Sequence, residues 1–207
     1  MYQRYVKRIL DFILSLAATI VLAIPMGIIA LWIKKDSPGP VFFKQRRVGR
    51  GKKCFNILKF RTMRGDTPHD VPTHLLKNAD SYITKSGAFL RRTSLDELPQ
   101  FFNVLKGDMS LVGPRPEIPF HVEHFKEEIP RYLVRQQVRP GLTGWAQIHG
   151  RDELEIAEKA KLDGWYVEHL SFGLDVKCFF GTIAAVLRHD GVVEGGTGTL
   201  HENNKKS

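Results

Sequence analysis

A long uncharged segment near the N-terminus constrains the fold of this 207-residue chain more than any other feature. The 22 residues from Phe12 to Ile33 carry no charge, and as a helix they would measure about 33 Å, enough to cross a bilayer core of about 30 Å. A helix that is apolar on every side has no polar face for water, which disfavours a soluble core helix. A cleaved signal peptide is also disfavoured, because the apolar run is too long and the following LWIKKDSPGP has no small-residue cleavage site.

Basic residues flank this segment on both sides. Residues 1–64 contain 14 Lys and Arg against 2 acids, a net charge of +12, whereas residues 65–207 have a net charge of −3. Lys and Arg beside a membrane segment favour the cytoplasm, so both ends are expected on that side. Pro25, soon followed by Gly27, offers a place for the chain to turn back, because proline removes one helical hydrogen bond and bends the axis. The sequence therefore predicts a re-entrant helix-break-helix membrane anchor over residues 1–36, with a kinked spanning helix as the alternative.

The rest of the chain has the pattern of a compact, mainly helical α+β domain with a small β-hairpin. We expect strands at Val41–Val48 and Cys54–Phe60. Helices are expected at 83–92, 94–105, 119–136 (broken at Pro130) and 153–169. The segment from Phe172 to Leu187 is either an interfacial amphipathic helix on lipid headgroups or an ordinary helix packed on the core. Residues 37–190 are thus predicted to form one cytoplasmic domain, and residues 191–207 a flexible tail.

Composition and motifs exclude several classes of protein. The two cysteines, Cys54 and Cys178, are too few for a disulfide framework, and no Cys/His cluster offers a zinc site. The glycine motifs of P-loop and Rossmann nucleotide sites are both absent. His121 and His124 lack a third metal ligand, and we expect both to face solvent. No nucleic-acid partner is expected, because the basic charge flanks a membrane segment and no nucleic-acid-binding motif is present.

Three segments mix cations with carboxylates: Lys59–Arg64, Arg91–Gln100 and Gly107–Glu117. This mixture suits a phosphate ester bound with a divalent cation, since Arg and Lys bind phosphate oxygens and carboxylates bind Mg²⁺. Asp96 and Glu97 are the sharpest pair, because an ionised carboxylate can attack phosphorus or hold a metal. A structural alternative stays open, since Ser94 to Glu97 matches an S-x-x-E capping box that opens a helix.

Longer motifs carry a resemblance to a known family: KRILDF, SPGPVFFKQRRVGRGKKCFNILKFRTM, LRRTSLDELPQFFNVLKGDMSLVGPRPE, RPGLTGWAQIHGR and LDGWYVEHLSFGLDVK. From about Lys7 to His189 the chain resembles the bacterial sugar transferases, or monotopic polyprenyl-phosphate phosphoglycosyl transferases, in a form with the catalytic domain alone. The resemblance implies transfer of a sugar 1-phosphate from a UDP-sugar to undecaprenyl phosphate, giving undecaprenyl diphosphate-sugar and UMP. It also implies a requirement for Mg²⁺ and a ping-pong mechanism through a phosphosugar bound covalently to aspartate.

The same resemblance implies roles for individual residues. Asp96 would be the nucleophile, and Glu97 would support the metal or the acceptor step, so this dyad is also the expected Mg²⁺ site. Lys59 and Arg115 would be active-site cations. Contact with phosphate or nucleotide is implied for Arg91, Arg92 and Arg151. Asp163 is expected near the site, without a specific role.

Location and partners follow from the resemblance as well. It implies that the protein lies on the cytoplasmic face of the bacterial inner membrane and contacts membrane lipid. It also implies that downstream glycosyltransferases are partners, and it allows a homodimer. The sugar stays open, with an N-acetylated amino sugar or galactose favoured. One position departs from the family: Ile24 precedes Pro25 where members often have serine, so a hydroxyl that could bond a freed carbonyl is missing. The rival class is a membrane-anchored scaffold, or an inactive relative, that binds lipid headgroups and in which Asp96 and Glu97 only cap a helix.

Overall fold

The structure is a computed structural model of the chain, and it describes residues 2–67, 79–150 and 154–188. Side chains are described in these ranges except at positions 4, 79 and 186–188. The predicted tail at 191–207 and the candidate residue Arg151 lie outside the described residues. Within these ranges the fold is α+β and mostly helical, as predicted.

Helix α1 spans Lys7–Asp36 and follows a short π-helical turn at Tyr2–Val6. The helix is continuous through Pro25, where the sequence predicts a break, because the loss of one hydrogen bond does not divide a helix of this length. Among the described residues, α1 is the one helix that is long and apolar enough to cross a membrane. Only 17% of its most apolar window is buried, whereas the core helix of a soluble protein would be mostly buried.

One stripe of α1 packs against the rest of the protein, and the other faces are exposed. The stripe consists of residues at helical spacing: Lys7, Asp11, Ser15, Met26, Ile29 and Ile33. On the outer faces, Val21, Ile24 and Leu31 are 74%, 78% and 74% exposed. Large contiguous apolar surfaces of this kind indicate contact with a membrane or a protein partner rather than with water.

The predicted β-hairpin is confirmed. Strand β1 (Phe42–Val48) pairs antiparallel with strand β2 (Cys54–Phe60), and a 3-10 turn at Arg50–Lys52 forms the tip. Phe43 lies opposite Lys59 in this register, so Lys59 is at the end of the hairpin that is far from the tip.

Two short helices separated by a 3-10 turn follow the hairpin. Helix α2 spans Lys85–Arg92, the turn spans Leu95–Glu97, and helix α3 spans Gln100–Lys106. The Asn103 side chain of α3 is bonded to β2 in both directions: its oxygen accepts from the Leu58 N–H at 2.9 Å, and its amide donates to the Asn56 oxygen at 2.8 Å. These bonds hold α3 and the preceding turn beside the end of β2.

The C-terminal half is built around a short parallel strand pair, β3 (Ser110–Val112) with β4 (Gly141–Thr143). Around it lie α4 (Pro119–Glu128), a 3-10 stretch (Tyr132–Gln137), α5 (Trp145–Ile148), α6 (Ile156–Glu168) and α7 (Phe172–Arg188). The helices predicted in these segments are confirmed, including the interruption at Pro130.

Helix α7 has two different faces. Leu174 and Cys178 are buried against the domain, whereas Phe172, Phe180 and Ile183 are 56%, 63% and 45% exposed. The helix therefore packs on the core, which confirms that alternative. Its outer face is apolar, and contact of this face with lipid headgroups stays a prediction.

Both ends of α1 are tied to the same domain. At the N-terminal end, the Lys7 ammonium pairs with Asp175 of α7 at 2.5 Å, and Arg8 donates to two backbone oxygens near the end of α3 at 2.6 and 2.9 Å. At the C-terminal end, the Asp36 carboxylate accepts hydrogen bonds from the backbone N–H and the hydroxyl of Ser86 at 2.8 and 2.7 Å. The domain therefore contacts α1 at both of its ends and along one stripe between them.

The prediction that His121 faces solvent is wrong. His121 is 6% exposed, and its Nδ1 lies 3.2 Å from the Glu117 carboxylate. The reason is that α4 packs this face on the hairpin, where Val122 and Phe125 join Val48 in one apolar cluster. Hydrophobic burial of the neighbouring side chains thus carries the histidine inward.

Candidate active site

Separate segments of the chain converge on Asp96 and Glu97. The dyad occupies the 3-10 turn between α2 and α3. Strand β2 contributes Lys59 at its last position but one, and the loop after β3 contributes Arg115. Because these segments lie far apart in sequence, the site exists only when the hairpin, the turn and the β3 loop are packed together.

Lys59 is at the centre of the ion pairs in the site. Its ammonium lies 2.7 Å from Glu97 Oε1 and 3.6 Å from Asp96 Oδ2. Glu97 Oε1 also accepts a hydrogen bond from the Arg115 guanidinium at 2.7 Å. Glu97 thus has two close cationic partners, whereas Asp96 shares one cation at a longer distance. The structure therefore brings together four of the residues that the sequence singles out.

The capping-box interpretation of the dyad is wrong. Ser94 has a left-handed backbone conformation, with φ of +57°, and its side chain makes no cap hydrogen bond to the turn. The Glu97 carboxylate bonds the two cations instead of the Ser94 N–H, which donates to the Arg91 oxygen. Helix α3 begins at Gln100 rather than at Ser94. The position of Glu97 is therefore explained by long-range ion pairs, since two bonds to cations outweigh one bond to a backbone N–H.

The two carboxylates differ electrostatically although they are adjacent. Burial alone would raise the pKa of Glu97, but Arg115 and Lys59 outweigh burial and hold this pKa far below its ordinary value. Asp96 is 9% exposed, and burial raises its pKa, with Lys59 offsetting only part of the rise. Glu97 therefore keeps a charge that its partners neutralise, while Asp96 is the more basic carboxylate and the better candidate for a nucleophile.

The two arginines before the dyad are placed differently. Arg91 donates from Nε to the Thr62 hydroxyl at 2.9 Å, and its charge opposes the rise in the pKa of Asp96. Arg92 is exposed, and no hydrogen bond or ion pair joins it to the dyad in the part of the chain that the structure describes. Helix α2 approaches Thr62 closely, because a Cβ at Gly87 would lie 1.9 Å from the Thr62 oxygen. The close packing brings Arg91, but not Arg92, towards the dyad.

Asp163 lies behind the site rather than in it. Its carboxylate, which belongs to a residue only 1% exposed, pairs with Arg135 at 2.6 Å. Arg135 in turn lies 3.5 Å from Glu117 and donates to the Arg115 backbone oxygen at 3.1 Å. The buried pair therefore supports the loop that carries Arg115 and does not contact the dyad directly.

Arg135 and Glu117 belong to the support of the site, although the sequence motifs single out neither residue. Burial would raise the pKa of Glu117, but a hydrogen bond with His121 and the charge of Arg135 lower it to about 2. For Arg135 a sequence signal exists, because it is the one charge in the segment YLVRQQ. For Glu117 there is no comparable signal, since its cationic partner comes from a different part of the chain.

The dyad offers two carboxylates to a metal ion. Within residues 2–67, 79–150 and 154–188, no group of three or more His, Cys, Asp or Glu side chains is arranged to hold a metal. Mg²⁺ commonly uses one or two carboxylates together with water and substrate phosphates. Asp96 is less engaged by cations than Glu97, so it is the better ligand of the two. The residues therefore fit Mg²⁺ bound jointly with a diphosphate, and they do not form a complete protein cage.

Comparison with known proteins finds relatives over almost the whole chain. The model of the bacterial sugar transferase family matches residues 2–189. The UDP-N-acetylgalactosamine-undecaprenyl-phosphate N-acetylgalactosaminephosphotransferase of Aeromonas hydrophila is 43% identical over 187 residues, which are 88% of this chain and 44% of that protein. The UDP-glucose:undecaprenyl-phosphate glucose-1-phosphate transferase of Escherichia coli K12 is 44% identical over 185 residues, which are 87% of this chain and 40% of that protein.

A third relative is similar to this chain in length. The uncharacterized sugar transferase EpsL of Bacillus subtilis is 42% identical over 188 residues, which are 89% of this chain and 90% of that protein. The chain spans less than half the length of the first two relatives. The family match extends from the turn before α1 to the end of α7 and includes the dyad and its cations. The chain therefore belongs to the bacterial sugar transferase family.

Proposed function

We propose that this protein transfers a sugar 1-phosphate from a UDP-sugar to undecaprenyl phosphate, releasing UMP and forming undecaprenyl diphosphate-sugar. This reaction would be the first membrane step in the synthesis of a polysaccharide or glycoconjugate. The observation that carries the proposal is the buried dyad, in which Lys59 bridges Asp96 and Glu97 while Arg115 binds the second carboxylate. The activities named for the Aeromonas and Escherichia relatives support the classes of donor and acceptor.

In the first step, a carboxylate oxygen of Asp96 attacks the phosphorus that bears the sugar. An O–P bond forms, the bond from that phosphorus to the bridging oxygen breaks, and the bridging oxygen leaves with UMP. The product is an acyl phosphate that carries the sugar on Asp96. The attack is supported by the burial of Asp96, which raises the pKa of its carboxyl group and so the basicity of the carboxylate, and by the 3.6 Å distance to its cationic partner Lys59.

In the second step, a phosphate oxygen of undecaprenyl phosphate attacks the same phosphorus. The bond from phosphorus to the Asp96 oxygen breaks, which regenerates the carboxylate and releases undecaprenyl diphosphate-sugar. The two steps form a ping-pong mechanism in which no net proton is transferred. Glu97, which its two cations hold ionised, is assigned to orienting those cations rather than to donating a proton.

The cations around the dyad would offset the negative charge of the reacting phosphates. Lys59 lies between the two carboxylates and is positioned to stabilise charge at the transferred phosphoryl group. Arg115, oriented by Glu97, is assigned to a phosphate oxygen of the donor. Mg²⁺ held by the dyad and the diphosphate would supply further neutralisation of the leaving group. Contacts to the phosphates or the nucleotide are also proposed for Arg91 and Arg151, and a positioning role through Arg135 for Asp163.

We further propose that α1 is kinked at Pro25 without being interrupted, so that it enters the bacterial inner membrane from the cytoplasmic face and returns to that face. The support comes from its two ends, where Lys7 pairs with Asp175 and Asp36 bonds Ser86 of the same domain. A spanning helix would put these ends about 30 Å apart in depth, and the attached polar domain would have to enter the hydrocarbon core. The apolar outer faces of α1 and α7 would then contact lipid, and the dyad would remain accessible to cytoplasmic UDP-sugars.

Cysteine labelling tests this topology. In a Cys54→Ser background the remaining Cys178 is buried, so single cysteines at Val6→Cys and Lys35→Cys report the two ends of α1. We expect a membrane-impermeant maleimide to label both positions in inside-out vesicles and neither in right-side-out vesicles. Labelling of the two positions from opposite sides would instead establish a spanning helix.

UMP release tests the reaction and identifies the donor. The full chain, in detergent or nanodiscs with undecaprenyl phosphate and Mg²⁺, is offered UDP-sugars one at a time, with N-acetylated amino sugars and galactose first. We expect UMP from one donor or a small set of donors, and loss of release when Mg²⁺ is omitted. Without undecaprenyl phosphate, a donor labelled in its sugar phosphate should leave label on the protein. Absence of UMP with every donor would favour the membrane-anchored scaffold.

A further inference from the structure

A second polar cleft lies at the end of α1 that is far from the dyad. We call it the N-terminal cleft, and its polar lining residues are Gln3, Lys7, Asp11, Arg50, Ser110 and Arg139. The dyad turn packs near Met26, since Leu95 and Leu98 join the apolar cluster around that residue. Lys7 and Met26 are 19 positions apart, which corresponds to about 28 Å along a helix. The cleft is therefore a separate feature and not an extension of the candidate active site.

The N-terminal cleft contains more positive than negative charge. The charge of Lys7 is matched by Asp175 at 2.5 Å. Arg8 donates to two backbone oxygens at 2.6 and 2.9 Å, and Arg139 donates from Nε to the Gly107 oxygen at 3.0 Å. Within the described ranges, no ion pair links Arg50 or Arg139 to a carboxylate. Among the described residues that line the cleft, Asp11 is the one carboxylate.

The excess of positive charge in the cleft affects the pKa of Arg139. It is partly buried, and burial together with the neighbouring charges of Arg8 and Arg50 lowers its pKa, with Asp11 acting in the opposite direction. A partly buried guanidinium among like charges is unfavourable unless an anion compensates it. Arg50 is exposed at the hairpin tip and comes from a distant part of the sequence, so it adds a second guanidinium that can reach an anion in the cleft.

Two apolar surfaces of the protein begin close to residues of the cleft. The exposed apolar face of α1 begins at Ile9 and Phe12, which are 57% and 44% exposed, within about two turns of Lys7. The apolar face of α7 begins at Phe172, whose ring packs edge-on against Tyr2 with 6.1 Å between the ring centroids. If these faces contact lipid, the cleft lies at the depth of the lipid headgroups.

We propose that the N-terminal cleft binds the phosphodiester headgroup of an anionic phospholipid, with Arg50 and Arg139 on the phosphate oxygens. Guanidinium groups bind such oxygens with paired N–H donors, and each cation near an anionic membrane surface adds to the attraction. The proposal rests on the membrane contact included in the proposed function. Its ligand is a structural lipid at one end of α1, and it differs from the acceptor that meets the dyad.

Lipid retention measured by native mass spectrometry tests this proposal. The full chain is released from nanodiscs of phosphatidylcholine that contain a minority of phosphatidylglycerol, and the bound lipids are identified. Arg50→Gln removes a cation of the cleft, whereas Lys53→Gln removes an equal charge from an exposed residue of the same hairpin that does not line the cleft. We expect wild type to retain phosphatidylglycerol over phosphatidylcholine, Arg50→Gln to lose about tenfold in retention, and Lys53→Gln to change it less than about twofold.

Equal losses in the two variants would overturn the proposal, because they would indicate a general effect of charge. Equal retention of both lipids by wild type would overturn it as well. If inorganic phosphate, at the same concentration as the lipid headgroups, displaces the retained phosphatidylglycerol, the cleft binds a soluble anion. That result would also contradict a lipid site. UMP release in detergent, measured on the same variants, tests the reaction separately from the lipid site. Arg50→Gln should keep wild-type UMP release. A failure of UMP release in wild type would contradict the proposed reaction and not the lipid site.

Discussion

UMP release is expected to fall by at least about three orders of magnitude when Asp96 is replaced by Asn, because the amide cannot form the acyl phosphate. The folded state should be kept, since the Asp96 carboxylate has one ion pair with the described residues, at 3.6 Å, and burial disfavours its charge. The measurement is the initial rate of UMP release with the preferred donor, combined with thermal unfolding of the same preparations. Label from the donor sugar phosphate should also no longer remain on the protein.

Asp80→Asn is the matched control for this substitution. Asp80 is exposed and lies in a 3-10 turn before α2, so the same chemical change there should leave UMP release within about twofold of wild type. Substantial activity in Asp96→Asn would show that another group attacks phosphorus. The covalent mechanism would then be abandoned, and the buried dyad would be a purely electrostatic element of the site.

The second large effect is expected for Lys59→Met, with a fall in kcat of about two orders of magnitude. Methionine preserves most of the side-chain volume but removes the cation that lies near both carboxylates. Glu97 would keep only Arg115 as its partner while its side chain stays largely buried, so the folded state should also lose about 1–3 kcal/mol. Lys59→Arg, which restores the charge with different geometry, should recover part of the activity.

Arg115→Gln provides the comparison for Lys59→Met. Its side chain is 41% exposed against 19% for Lys59, and it pairs with Glu97 at 2.7 Å. We expect a smaller loss in kcat and a larger rise in the KM for the donor, because Arg115 is assigned to binding a donor phosphate. Single-turnover formation of the labelled protein separates the two effects. Identical profiles for the two variants would contradict the assignment of Lys59 to the transferred phosphoryl group.

Local features of the fold can be predicted from the residues in order. The hairpin forms where alternating residues flank a glycine-rich turn, and the long helix forms where 22 uncharged residues follow one another. The adjacency of Asp96 and Glu97 is likewise a property of the chain itself. Each of these features depends on residues a few positions apart, whose turn propensity or hydrophobicity acts in any surroundings.

The surroundings of the dyad depend on the folded molecule. The S-x-x-E pattern predicts a local cap, yet Glu97 binds Lys59 and Arg115, which are 38 and 18 positions away. Two charge-assisted bonds outweigh one bond to a nearby N–H, so the long-range partners prevail. His121 follows the same principle, because packing of its apolar neighbours carries it inward against the expectation for a polar side chain.

Residue order alone thus accounts for an apolar helix, a basic hairpin, a paired carboxylate and membership of a family. Tertiary packing determines that one cation bridges both carboxylates, that Arg135 and Asp163 support the loop of Arg115, and that both ends of α1 meet one domain. It also gathers Arg50 and Arg139 into one cleft. The physical reason is that burial and ion pairing depend on which distant surfaces meet, and no local propensity specifies that meeting.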